Sequence, residues 1–163
     1  MQEKQGSQRG VGRASAKVGG DVADLTDDRV HVPIEAMRAC GWQLGDESLD
    51  IVIELVERGH LRLHRLEDIG DALDAKREEL EKIADVDEEA LQDLFVLEDK
   101  YRRATLYKSD SRVRLVAAVL AFMRARPEDK PEFYVRASKG RIEILSLDQR
   151  DRLILRRGGR VAP

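Results

Sequence analysis

Apolar and polar residues alternate with a period of two in two separate stretches of this chain, and with a helical period between them. From Arg29 the run R-V-H-V-P predicts a short strand stopped by Pro33, which suits the first turn of a helix. Ile34 and Met37, three apart, mark that helix, Gly41 its left-handed end, and Trp42 with Leu44 a return toward the core. Gly45-Asp46 predicts a turn. Leu49, Ile51, Ile53 and Leu55 then alternate up to Glu57-Arg58-Gly59, and Leu61 and Leu63 alternate after it, the pattern of a β-hairpin. Between 67 and 104 the period becomes helical. Ile69, Leu73, Leu80 and Ile83 share one stripe, Asp85 and Glu88 have capping-box spacing for a second helix, and Leu91, Leu94, Phe95 and Tyr101 continue it. A helical hairpin is expected there.

The first pattern then returns. R-V-R-L-V from Arg112 answers R-V-H-V-P, and Asp110-x-Arg112-Val113 repeats Asp27-x-Arg29-Val30 at an offset of 83. Val116, Val119, Leu120 and Met123 predict a helix ended by Pro127. Phe133, Val135 and Ala137 alternate up to Lys139-Gly140, and Ile142 and Ile144 alternate beyond it, with Gly140 answering Gly59 at an offset of 81. The two-residue difference falls in the loop before the hairpin, where length changes cost least. Ser146 and Gln149 have the spacing to cap a last short helix through Leu155. Residues 1–20 hold five of the twelve glycines and no Leu, Ile, Phe, Trp or Tyr, so a flexible tail is expected. The expected organisation is a basic tail (1–20), a first β-rich unit (21–66), a helical hairpin (67–104), a second β-rich unit with a short helix (105–155) and a basic tail (156–163).

Charge changes this picture more than composition does. The 163 residues carry 29 Lys and Arg against 32 Asp and Glu, a net of −3 that conceals a steep gradient. Residues 67–100 hold four basic and fourteen acidic side chains, whereas residues 101–163 hold sixteen basic and seven acidic. A basic segment of that size attracts an anionic partner and the acidic one repels it, so nucleic acid would be bound in one orientation only. The longest apolar run, Leu115 to Met123, is nine residues, against the ~20 needed to span a membrane. No apolar segment follows the basic N-terminus to make a secretory signal, and the lone Cys40 has no disulfide partner, so a cytoplasmic location is expected. No C-x-x-C, H-E-x-x-H, Walker, G-x-S-x-G or G-x-G-x-x-G pattern occurs, and no metal, cofactor or enzymatic activity is expected. His60 and His64 read as surface strand residues, Cys40 as a small buried hydrophobe and Trp42 as core.

Residues 29–63, with the strand-to-Pro step R-V-x-V-P, the helix I-E-x-x-R, the turn G-W-x-L-G-D and a glycine-turned hairpin, resemble the AbrB/SpoVT family of swapped-hairpin DNA-binding domains. Two such units in one chain, the second ending R-I-E-I-L-S-L-D-Q, are similar to the arrangement of the MraZ family of transcriptional repressors. The resemblance covers residues 27–66 and 110–150. It implies an α+β fold in which two β-α-β-β units build one swapped-hairpin β-barrel, working as a homo-oligomer on double-stranded DNA. It aligns Arg29 and Arg38 of the first unit, and Arg112 of the second, with arginines that the family presents to DNA. The chain departs from the pattern where Asp28 and Ser111 replace the glycine before the first arginine, and where Asp21, Asp24, Asp27 and Asp28 replace basic residues. Carboxylates beside phosphates are unfavourable, so the second unit is the preferred DNA face. Arg102, Arg103, Lys108, Arg112 and Arg114 are expected at phosphates, and Arg124, Arg126 and Lys130 at a groove. The alternative is a protein-interaction, scaffold or antitoxin-like module whose acidic helices dock a basic partner.

Overall fold

The computed structural model describes residues 20–43, 48–107 and 111–156. Eight strands form a closed antiparallel barrel within the single chain. The elements are β1 (Gly20–Thr26), β2 (Arg29–His31), α1 (Ile34–Ala39), β3 (Leu49–Glu57), β4 (His60–Arg65), α2 (Leu66–Ile83), α3 (Glu88–Lys100), β5 (Tyr101–Tyr107), β6 (Arg112–Arg114), α4 (Ala117–Met123), β7 (Glu132–Ser138), β8 (Arg141–Ser146) and α5 (Leu147–Arg156). Around the barrel the order is β1-β2-β6-β5-β3-β4-β8-β7, closing back on β1. Each unit therefore lends its first hairpin to the other: β1 pairs with β7 of the second unit, and β5 of the second pairs with β3 of the first.

Period-two alternation is what fills the barrel. Ala23, Leu25, Val30, Ile51, Ile53, Leu61, Leu63, Leu106, Val113, Phe133, Val135, Ile142 and Ile144 point inward as one buried cluster, joined by Met37 and Trp42 of the first unit and Val119 and Met123 of the second. Gly41, with φ +76°, ends α1, and Trp42 turns in so that its Nε1 donates to the carbonyl of Gly140, 3.0 Å away. Cys40 is half-buried, its thiol donates to the carbonyl of Arg141, and burial pushes its pKa up. The expected turn at Gly45-Asp46, the inward return of Leu44 and the two tails lie outside the described residues, except that Gly20 opens β1 and Arg156 closes α5.

Several boundaries differ from the sequence pattern. Residues 20–26 are a strand, although only Ala23 and Leu25 of β1 turn inward among Asp21 and Asp24. Five register pairs with β7, from Gly20–Arg136 to Asp24–Glu132, hold it extended. A side chain at Gly20 would collide with the ring of Tyr134, which lies 2.5 Å from an ideal Cβ position. The second helix stops at Lys100 and does not include Tyr101, because residues 101–106 pair with β3. Its cap is Asp87, which accepts from the amides of Glu89 and Ala90, in place of Asp85. Helix α4 ends at Met123 on a left-handed Arg124, four residues before Pro127.

His60 is not a surface residue: it is 6 % exposed. On the outer side of β3, β4 and β8 the side chains form an ionic network. Glu54 accepts from His64 at 2.8 Å and also meets Arg62 and Lys100, while Glu143 binds His60 and Arg62. Burial raises the pKa of Glu54, but the His64 hydrogen bond and the Arg62 charge outweigh it and hold the carboxyl below its ordinary range. Glu143 follows the same balance, its burial outweighed by His60 and Arg62. Ser146 caps α5 through the amide of Gln149, as its spacing predicts.

Candidate nucleic-acid interface

Strands β2 and β6 run antiparallel across the seam between the two units, with Val30 opposite Val113 on the inner side. Alternation then places Arg29 directly opposite Arg114, and His31 opposite Arg112, on the other side. Each strand is held at its ends by the other unit's turn. The carbonyl of Asp28 accepts from Leu115 N–H, and the carbonyl of Ser111 accepts from Val32 N–H, both at 2.7 Å. Two residues separated by 85 positions are thus locked side by side, and both are arginines.

Where β2, β5 and β6 meet the start of α4, an open cleft of about 260 Å³ is lined by Arg29, Arg102, Arg103 and Arg114, with Tyr107 and Val116 among its apolar walls. Like charges directly opposite on a sheet destabilise it, so this clustering is costly without anionic partners. Carboxylates of the protein supply some of them. Arg114 Nε donates to Asp28 at 2.7 Å, Arg103 meets Asp74 of α2 at 3.4 Å, and Arg102 meets Asp99 of α3 at 3.6 Å. Arg114 and Arg103 keep most of their side-chain surface in solvent, 65 % and 61 %. The acidic helices and the β1–β2 turn therefore form negative rims around a positive cleft.

The other expected residues sit elsewhere. Arg112 lines a neighbouring cleft with Asp27, Asp28 and His31. Arg38 is exposed in the last turn of α1, beside the β7–β8 end of the barrel. Arg124, Arg126 and Lys130 are not among the residues lining the arginine cleft. Arg126 is engaged by Glu128 at 2.9 Å, and Lys130 lines a separate cleft with Asp24, Asp27 and Glu132. Lys108 lies outside the described residues. The four cleft arginines are legible in the sequence, whereas Tyr107 and Thr105 are not, although Y-R-R-A-T-L-Y carries the aromatic and β-branched residues of a strand. Asp28 is visible in the sequence as an acidic departure but its partner is not, because an ion pair across 86 positions has no local signature.

Among the described residues no group of three or more His, Cys, Asp or Glu is arranged to hold a metal ion, and no helix is long and apolar enough to cross a membrane. The sequence matches no protein-family model and no curated protein sequence.

Proposed function

We propose that this protein binds double-stranded DNA through the cleft lined by Arg29, Arg102, Arg103 and Arg114, as a transcriptional regulator with two AbrB-like units in one chain. The observation that carries the reading is the convergence of these arginines, from three strands and both units, on one open cleft. Four arginines lining one cleft favour a polyanion, since each phosphate they neutralise releases condensed counterions. The resemblance of residues 29–63 to swapped-hairpin DNA-binding domains supports the same reading, as does the basic composition of residues 101–163.

The test is fluorescence anisotropy with a labelled random-sequence duplex from low to physiological salt. Binding with a steep negative salt dependence is expected. Arg102→Ala with Arg114→Ala should weaken it and reduce the slope of log K against log salt by about 0.9 for each phosphate no longer neutralised. An unchanged slope in this variant overturns the assignment of the cleft.

A second reading, docking of a basic protein on the acidic hairpin, is favoured by Phe95 and Val96. They are 50 % and 61 % exposed on α3 amid its acidic side chains. Pull-down with immobilised chain, compared with a Phe95→Ser variant, tests it.

A further inference from the structure

We propose that Asp28 is a latch on the arginine cleft, occupying Arg114 in the free protein so that a nucleic-acid phosphate binds there only by displacing it. The inference rests on the reading of the cleft as a nucleic-acid interface and adds the residue that regulates it.

Asp28 is placed for this role from two directions. Its carbonyl accepts from Leu115 N–H at 2.7 Å, and its carboxylate accepts from Arg114 Nε at the same distance. The turn that presents it is tight: Thr26 pairs with Arg29, leaving only Asp27 and Asp28 between the strands, with Asp27 at φ +56°. A carboxylate fixed by its own backbone loses little side-chain freedom on pairing, whereas a surface pair between two long side chains loses more. Asp74 and Asp99 hold Arg103 and Arg102 at longer distances, 3.4 and 3.6 Å, so the Asp28 pair is the tightest of the three.

The repeat supplies the comparison. One residue before its strand, the second unit has Ser111, whose carbonyl makes the equivalent bond to Val32 N–H at 2.7 Å. The backbone task is thus done without a carboxylate at that step, and the acid of Asp28 is an addition to it. The carboxylate takes up Arg114, which stands directly opposite Arg29 on the paired strand. The guanidinium of Arg114 is mostly in solvent, so an incoming phosphate oxygen reaches it without rearrangement of the barrel and competes with Asp28 for the same donors.

The experiment compares the full chain with Asp28→Asn, Asp24→Asn, Arg114→Ala and the Asp28→Asn/Arg114→Ala double variant, using the labelled random duplex across a salt series. Asp28→Asn is expected to bind about two- to fivefold tighter, the span of a surface ion pair. Asp24→Asn removes the same charge from β1 in a different cleft and is expected to change binding less. The gain should vanish in the double variant, because the latch acts only through Arg114. A gain that persists without Arg114, or an equal gain from Asp24→Asn, overturns the latch and leaves only bulk charge. No gain from Asp28→Asn while Arg114→Ala weakens binding overturns the latch and leaves the interface standing. Absence of salt-dependent binding by the unaltered chain overturns both. Asp28→Ser, which places in the first turn the residue the second turn already uses, keeps the question answerable should the asparagine variant fold poorly.

Discussion

Gly59 and Gly140 occupy the two hairpin turns with nearly the same left-handed backbone, φ +83° and +81°, yet their surroundings differ. A Cβ on Gly140 meets nothing within 4 Å, whereas one on Gly59 lies 2.8 Å from Ser146 Oγ and 3.3 Å from Gln149 Cβ. Gly140→Ala is therefore expected to cost about 1–2 kcal/mol, the strain of a left-handed alanine. Gly59→Ala should cost more, because it also pushes on the hydroxyl that caps α5. Urea denaturation checks this, and equal losses would mean that space around the turn does not matter. Both glycines are legible as turns from their place between alternating runs. What distinguishes them is not, since Ser146 reaches Gly59 from 87 positions away. Asp28 is the same case: its acidity is visible in the chain, and its partner is visible only in the fold.

At the scale of elements, the hairpins β3–β4 and β7–β8 follow from alternation alone because their apolar positions are strong, while β1 and β5 do not. In β1 two inward residues stand among acids, and in β5 no break separates the helix from the strand; in both, partner strands decide. The polar side of β4 escapes sequence reasoning for a related reason. Alternation identifies His60, Arg62 and His64 as facing away from the core, but not that Glu54 and Glu143 flank them. Both carboxyls are held below their ordinary value of 4.5 in the folded chain. A depressed carboxyl contributes stability above its unfolded value and loses it as pH falls through the folded one. Denaturation midpoints should therefore drop as pH is lowered below about 4.5. Glu143→Gln should be less stable at neutral pH and show a shallower acid decline. An acid decline equal to that of the unaltered chain would remove Glu143 from the network's contribution.

For the whole molecule, closure of the barrel within one chain has a consequence that can be measured. Because β1–β7 and β5–β3 pairs join the two units intramolecularly, every barrel strand has both its neighbours in one chain, and the protein diluted to a monomer should still unfold cooperatively. Loss of the cooperative transition on dilution to the monomer would place essential pairing between chains. The charge gradient along the sequence becomes a spatial one: arginines of both units meet at the β2–β6 seam, and the acidic hairpin and the β1–β2 turn rim it. The order of amino acids is enough to specify the repeat, the hairpins, most inward residues and the opposite charges of successive segments, since these rest on periodicity and composition over a few neighbouring positions. Which strands pair, that each unit's first hairpin serves the other, and that Arg29 faces Arg114 with Asp28 beside it emerge only in the folded barrel. Those facts depend on proximity between residues more than eighty positions apart, and such proximity is set by how the chain closes on itself.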